Sequence, residues 1–163
     1  MKRCLLLVIL ISGCSTMYQP TAYTGGYSNS QLDVDKFRVR FGCNGFVSSS
    51  YCQDMALLRS AEISIDNGYN YFIILNEDNS ASNSSYTTPQ QSYTTFYGSG
   101  NYVYANTNTY GGQTYNISKP STTNTILLIR TRTNNSFNAQ YILRDMCGRY
   151  GRYIKTNVCS KIK

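Results

Sequence analysis

The stretch that decides the fold is KFRVRFGCNGFVSSSYCQDMALLRSAEISIDNGYNYFIIL, residues 36–75. At its start, Phe37, Val39 and Phe41 alternate with two arginines, which predicts a half-buried strand with a charged outer face. At its end, residues 69–75 are almost all apolar and β-prone, which predicts a central strand of a sheet. These two strands frame the predicted core.

A helix is predicted between the two strands. Ser50 is the expected N-cap with Gln53 as its capping-box partner, and Asn67-Gly68 is the expected end. One face of this helix is apolar, and we expect it to pack on the sheet. The residues of that face are Tyr51, Leu57, Leu58, Ala61 and Ile65.

A second ordered block follows a long polar segment. Residues 125–132 predict a third strand, and residues 137–150 predict a second helix. The predicted fold class is α+β, a small three-stranded sheet in the order β-α-β-insert-β-α, stapled by disulfides. Both helices should lie on one face, because the strand arginines need a wet face opposite. The second and third strands are expected to be antiparallel neighbours. The expected core residues are Phe37, Val39, Leu58, Ala61, Ile65, Ile73 and Ile142.

The composition argues against enzymatic chemistry. The 163 residues include no histidine and no tryptophan, and only eight are acidic. Without histidine, Ser-His and Cys-His nucleophiles and histidine-based zinc sites are excluded. Asp54 and Glu62, eight residues apart on the predicted helix, are too distant to act on one substrate bond. We therefore expect no catalytic residues, no metal and no cofactor.

The N-terminus has the features of a secretory signal peptide. Residues 1–13 contain a basic start, a short apolar run and small residues at the end. The sequence Leu10-Ile11-Ser12-Gly13-Cys14 resembles the lipobox of bacterial lipoproteins. This resemblance implies that Cys14 carries a covalent lipid, and Ser15 after it implies the periplasmic face of the outer membrane. The alternative is an ordinary signal peptide that happens to contain a cysteine.

The rest of the chain divides by composition. Residues 14–35 are polar and are predicted to be a flexible tether. Residues 36–78 form the strand-helix-strand core. Residues 79–124 form a low-complexity insert of Tyr, Ser, Thr and Asn whose only charged residue is Lys119, and residues 125–163 form the last strand, the second helix and a basic tail.

The insert allows two interpretations. One is a disordered or loosely ordered segment. The other is a hairpin over residues 97–115, with a turn at Gly111-Gly112, that presents tyrosines to a protein partner. The candidate partner-binding residues are Tyr97, Tyr102, Tyr104 and Tyr110.

Four cysteines remain in the mature chain. Cys43, Cys52, Cys147 and Cys159 are an even number in an oxidising compartment, which favours two disulfides with three possible pairings. We favour Cys43 with Cys52 and Cys147 with Cys159, because each partner is near in sequence. A four-cysteine metal site and a redox sensor are the alternatives, and the absence of a C-x-x-C pair weighs against the metal site.

The C-terminal segment is strongly basic. Residues 130–163 carry eight basic side chains and one acidic side chain, Asp145. A solvated tail is one interpretation, and attraction to an anionic surface such as lipid A or peptidoglycan is the other. Nucleic acid is excluded by the compartment. The candidate anionic-surface residues are Arg149, Arg152, Lys155, Lys161 and Lys163.

The motifs FRVRFGCNGFVS, ALLRSAE and GYNYF of residues 37–75 resemble a family of small proteobacterial outer-membrane lipoproteins of unassigned function. The chain is also distantly similar to the stress-sensor lipoprotein of the Rcs phosphorelay. These resemblances imply an envelope protein and supply no catalytic residue. We expect a structural or interaction module, such as an accessory subunit of an envelope-spanning secretion system. The alternative is a stress sensor that uses its disulfides or its basic tail.

Overall fold

The structure, a computed structural model, describes residues 15–162 apart from the side chain of Ser99. This part of the chain contains two α-helices, seven strands and two short 3₁₀ helices. In chain order they are β1 (Gly26–Gln31), β2 (Lys36–Gly42), α1 (Ser49–Asp66), β3 (Tyr71–Thr87), β4 (Gln91–Ser99), β5 (Tyr102–Tyr110), β6 (Thr114–Ile129), β7 (Phe137–Asn138), α2 (Ala139–Tyr150) and the 3₁₀ helices Gly151–Tyr153 and Asn157–Lys161.

The strands form two antiparallel sheets. The larger sheet has the order β1-β2-β6-β3-β7, and β4 and β5 form a two-stranded sheet of their own. The predicted antiparallel pairing of the strands at 69–75 and 125–132 is confirmed, since β3 pairs with β6. Because β2 also runs antiparallel to β6, β2 and β3 are parallel and α1 connects them across β6.

The predicted fold class, an α+β fold with one small three-stranded sheet, is wrong, because the described chain is mostly sheet. β1 and β7 extend the predicted sheet to five strands, and β4 and β5 form a second sheet. β1, with the sequence GYSNSQ, lies inside the segment predicted to be a tether. Its polar residues give no apolar alternation, so its order comes from hydrogen bonds to β2 and not from local preference. The two residues of β7 pair with Tyr71 and Phe72, which delays the start of α2 to Ala139.

The helix ends lie close to their predicted positions. α1 begins earlier than expected, because Ser48 and not Ser50 is the N-cap and its side chain accepts a hydrogen bond from the Tyr51 N–H. The predicted stop at Asn67-Gly68 is confirmed. Gly68 has a φ of 76°, a left-handed conformation that favours glycine, and its N–H donates to the Ile65 carbonyl.

The core lies between the inner face of the larger sheet and α1, with α2 packed against α1. Of the predicted core residues, Phe37, Val39, Leu58, Ala61 and Ile142 are buried. Ile65 is only partly buried. Ile73 is also only partly buried, because its neighbour Phe72 points inward in its place. Arg38 and Arg40 are exposed on the opposite face, as the alternation predicts.

The predicted flexible tether is fastened to the core from Thr16 onward. Thr16 and Tyr18 are fully buried. The Tyr51 hydroxyl donates to the Thr16 carbonyl at 2.7 Å, and the Tyr18 N–H donates to the Tyr153 carbonyl at 2.9 Å. Gly25 makes this close packing possible, because a Cβ there would lie 2.3 Å from the Gly42 carbonyl oxygen. The polar composition of residues 14–35 concealed these long-range contacts.

Both favoured disulfides are confirmed. Cys43 is bonded to Cys52 and Cys147 is bonded to Cys159, with Cα–Cα distances of 6.2 and 5.8 Å. The first ties the end of β2 to α1, and the second ties the C-terminal 3₁₀ helix to α2. Within residues 15–162, no helix has the length and apolar character that a membrane span requires.

Candidate interaction surface

The most prominent feature outside the core is a long β-ribbon, here called the arm and defined as residues 81–120. β3 and β6 continue beyond the larger sheet and lead into the β4–β5 hairpin. At a rise of about 3.3 Å per residue, the arm projects about 60 Å. The interpretation of the insert as a disordered segment is therefore wrong. The hairpin interpretation is right, but the ribbon is longer than the expected residues 97–115.

One register runs along the whole arm. Thr87 pairs with Thr114 at the end of β3, and Gln91 pairs with Tyr110 at the start of β4, so neither strand gains or loses a residue between them. The β4–β5 hairpin therefore continues the β3–β6 ribbon. The tip is a two-residue turn at Gly100-Asn101, with Gly100 at a φ of 61°.

The predicted turn at Gly111-Gly112 is instead a joint halfway along the arm. Thr88 N–H donates to the Gln113 carbonyl at 2.9 Å, and Gly112 N–H donates to the Thr88 carbonyl at 3.1 Å. Gly111 has a φ of 86°, and a Cβ there would lie 2.0 Å from the Pro89 carbonyl oxygen. Only glycine fits this approach of the two strands.

Paired hydroxyls explain why so polar a segment forms strands. Side chains directly opposite each other in a sheet interact, and Ser and Thr pairs do so by hydrogen bonds. Four such pairs have oxygen–oxygen distances of 2.9 to 3.1 Å. They are Ser80–Ser121, Thr87–Thr114, Ser92–Thr109 and Thr94–Thr107.

Five tyrosines share one face of the β4–β5 hairpin, here called the tyrosine face. Tyr97 is directly opposite Tyr104, and side chains an even number of residues away along a strand point to the same side. All five are more than half exposed. The tyrosine face consists of Tyr93, Tyr97, Tyr102, Tyr104 and Tyr110.

The tyrosine face unites the four predicted partner-binding residues, and it adds Tyr93, which the sequence analysis missed. Tyr93 differs from Tyr97 by an even number of positions, so strand alternation could have found it once β4 was recognised. The opposite face carries exposed Phe96 and Val103.

Much of both arm edges has no strand partner within residues 15–162. The outer edge of β3 pairs with β7 only at Tyr71 and Phe72. The outer edge of β6 pairs with β2 only between Ser121 and Leu127. Beyond these points no further strand pairs with either edge within the described residues, although Cys43 N–H still donates to the Pro120 carbonyl. Lys119 is the only charged side chain of the arm. Edges of this length are usually protected by charges or prolines, and this arm has few of either.

The basic tail is less available than predicted. The Arg149 guanidinium donates to Asp145 at 2.6 Å and to Asp54 at 3.3 Å. The Lys161 ammonium donates to Glu62 at 3.0 Å and to Asp66 at 2.7 Å. The hydrogen bond to Asp145 raises the pKa of Arg149. Burial would lower the pKa of Lys161, but its bonds to Asp66 and Glu62 outweigh burial and raise that pKa. The tail therefore folds against α1 and α2 and is not a free cationic strand.

Of the other predicted anionic-surface residues, Arg152 and Lys155 are exposed. Lys163 and the predicted lipidation site Cys14 lie outside the described residues. In the part of the chain that the structure describes, no three His, Cys, Asp or Glu side chains come together as a metal site requires.

Glu62 is the centre of a buried polar network. It accepts hydrogen bonds from the Tyr18 hydroxyl at 2.6 Å, from Lys161 and from Arg59. Burial alone would raise the pKa of the Glu62 carboxyl, but these donors outweigh it and hold that pKa below its ordinary value. Burial, followed by the Glu62 charge, raises the pKa of Tyr18 well above its ordinary value. The network thus fixes the N-terminal segment and the tail to α1.

Comparison with known proteins finds no matching family model, no matching curated protein and no matching solved structure.

Proposed function

We propose that this chain is a non-enzymatic, lipid-anchored protein of the outer membrane that acts in the periplasm as an interaction module, and that its arm binds another envelope protein. The observation that carries this proposal is the exposed tyrosine face on a ribbon that has no core of its own. A contiguous exposed aromatic surface is typical of a protein–protein interface. An isolated two-stranded ribbon is only marginally stable, and a partner would stabilise it.

The arm offers two modes of contact at once. Tyrosine provides a large contact area at low conformational cost and is frequent at binding hot spots. The free edges can pair with a strand of the partner by β-augmentation. Because the arm carries almost no charge, this contact should depend little on salt.

The shape of the molecule supports a role as an accessory subunit of an envelope-spanning complex such as a secretion system. Thr16 is fastened to the core only two residues after the predicted lipid anchor at Cys14. The linker between the predicted lipid anchor and the folded body is therefore very short. The arm, and not a flexible tether, would extend the protein away from the membrane.

The stress-sensor hypothesis has less support. That hypothesis used the disulfides or a free basic tail, and the tail version has lost support because Arg149 and Lys161 are held in ion pairs with acidic residues of the helices. The absence of histidine and the use of Asp54, Glu62, Asp66 and Asp145 in ion pairs support a non-enzymatic role.

Site-specific photocrosslinking in intact cells tests the proposal. A photoreactive residue at Tyr97 or Tyr104 should give one reproducible adduct, identified by mass spectrometry. Controls at Thr107, on the opposite face of the arm, and at Tyr141, exposed on α2, should give little of it. Changing all five tyrosines of the tyrosine face to threonine should abolish co-purification of the same partner. An adduct equally strong at all four positions, or none at Tyr97 and Tyr104, would contradict the proposal.

A further inference from the structure

A groove of about 340 Å³ opens at the root of the arm, on the sheet face that the helices leave uncovered. It lies where β2 ends and where β3 and β6 continue into the arm. Arg40 and Lys119 are among its lining residues. The volume falls in the range of small-molecule sites.

The two cations of this groove are available. Neither Arg40 nor Lys119 forms an ion pair within residues 15–162, in contrast to Arg59, Arg149 and Lys161. Asp78 lies on the same face, across β6 from Arg40, but it does not line the groove. The groove therefore carries two positive charges without a compensating carboxylate in its lining.

Gly42 creates the recess between these cations. It follows Arg40 on the same face of β2 and is directly opposite Ser121. A Cβ at Gly42 would meet no atom within 4 Å, and the backbone there is not in the left-handed region. The backbone does not require glycine at this position, and the missing side chain leaves open space on this side of the groove.

Hydroxyl groups complete the lining. The Ser80 and Ser121 side-chain oxygens are 3.0 Å apart, and Ser82 also lines the groove. Guanidinium, ammonium and hydroxyl donors converging on one recess are the groups that bind phosphate oxygens. Ala81 and Pro120 add apolar surface, which suits an esterified phosphate better than the free ion.

The groove lies at the end of the body where the N-terminal segment enters. Asn44 N–H donates to the Thr16 hydroxyl at 2.9 Å, and Cys43 N–H donates to the Pro120 carbonyl at 2.9 Å. Phe46, next to this contact, is 78% exposed, and Tyr23 is fully exposed. Exposed aromatic side chains favour the membrane–water interface.

The same end is thus joined to the most apolar part of the sequence. The run of leucine, valine and isoleucine at residues 5–11 ends a few positions before Thr16. The predicted lipid site Cys14 is closer still to Thr16. The inference rests on the membrane anchor proposed above: with that anchor, the fastening of Thr16 would hold the groove beside the membrane surface.

We propose that the groove formed by Arg40, Gly42, Ser80, Lys119 and Ser121 binds the phosphate of an anionic lipid headgroup, and that Tyr23 and Phe46 contact the bilayer beside it. The groove orients the body on the membrane and thereby sets the direction of the arm. This site is separate from the tyrosine face and does not depend on the partner of the arm.

Calorimetric titration of the purified full chain in a neutral detergent tests the proposal. The titrants are dihexanoyl phosphatidic acid, inorganic phosphate and dihexanoylglycerol, which lacks phosphate. The unchanged chain should bind the phosphatidic acid saturably, the free phosphate more weakly and the dihexanoylglycerol not at all. The double variant Arg40→Gln, Lys119→Gln should lose roughly tenfold in affinity, because it removes both charges. Gly42→Leu should lose as much by filling the recess while keeping both charges.

Arg38→Gln is the matched control. Arg38 is on the same strand and face as Arg40 but outside the groove. The affinity of this variant for the phosphatidic acid should therefore stay within about twofold of that of the unchanged chain. Circular dichroism melts show whether each variant is folded, and the charge variant and the filled-groove variant test the site independently. Equal affinities for all variants, or no binding of phosphatidic acid, would overturn the proposal. Free phosphate binding as tightly as phosphatidic acid would overturn the assignment to a lipid.

Discussion

At the scale of single residues, Glu62 shows how a buried charge can organise separate parts of a chain. Its carboxylate is almost fully buried and receives donors from the N-terminal segment, from α1 and from the C-terminal tail. Burying a carboxylate is costly unless it is paired and hydrogen-bonded. The pairing here is complete enough that the pKa of Glu62 falls below its ordinary value, so the ionised form stabilises the fold.

Glu62→Gln should destabilise the protein by about 3 kcal/mol at pH 7, because it leaves Arg59 and Lys161 without their shared partner. The lowered pKa sets the sign of the pH dependence. The stabilisation by Glu62 is complete above its ordinary pKa of about 4.3 and is lost as the pH falls through the lower folded-state value. Urea unfolding at neutral and at acidic pH should show the two proteins converging in acid.

Asp66→Asn is the control for this experiment. Asp66 also binds Lys161, but its side chain is 46% exposed. The change should cost less than about 1 kcal/mol. A difference between Glu62→Gln and the unchanged protein that stays constant with pH would show that packing, and not ionisation, accounts for the loss.

At the scale of elements, the arm is a strand pair whose outer half does not pack against the core. β4 and β5 form a separate sheet, and nearly all of their side chains are exposed. Cross-strand hydroxyl pairs and one unbroken register hold it together. The body should therefore fold without it.

Replacing residues 88–113 by Asn-Gly should leave the body folded. Thr87 and Thr114 are directly paired, and a two-residue Asn-Gly turn closes such a pair in the preferred hairpin geometry. We expect the thermal midpoint, measured by calorimetry, to change by no more than about 4 °C, which corresponds to less than about 1 kcal/mol. Co-purification of the partner captured at the tyrosine face should be lost with the segment.

A deeper truncation is the comparison. Removing residues 80–121 would remove buried Ser121 and its strand pairing with Gly42 of β2. This variant should melt at a clearly lower temperature. If the shorter truncation were equally damaging, the outer half of the arm would have to stabilise the body directly.

At the scale of the whole molecule, the arm divides the chain into two halves that only packing and hydrogen bonds hold together. Cys43–Cys52 lies before the arm and Cys147–Cys159 lies after it. No disulfide in the described part of the chain joins the halves. Both halves contribute strands to the larger sheet and side chains to its core.

Brief chymotrypsin digestion should cut first at the exposed tyrosines and Phe96 of the arm, because cleavage needs a backbone that opens locally and the outer half of the arm has no core behind it. Tyr23 and Phe46 of the body are also exposed, so the masses of the fragments identify the position of each cut. The nicked protein should elute from gel filtration as one species. The same material should give two fragments on a denaturing gel even without reductant. Early cleavage at Tyr18 or Tyr51 would show instead that the N-terminal segment is not fastened as described.

The sequence by itself determined the elements that have a periodic apolar pattern. Phe37, Val39 and Phe41 predict β2, the apolar run before Leu75 predicts the start of β3, and both helices follow from their periodicity. The disulfide pairing followed from short sequence separations. Each of these features depends on neighbours close in the chain, which is why local pattern was sufficient.

Only the tertiary structure decided the order of the polar segments. β1 and the arm are built from Ser, Thr, Asn, Tyr and Gly, and they become strands through cross-strand partners that composition does not identify. Tyr18 is fixed by Glu62, a partner far along the chain. The groove between Arg40 and Lys119 likewise unites residues of β2 and β6 that are distant in sequence. Long-range pairing of backbone groups and buried charges, which has no local periodic signature, fixes these features.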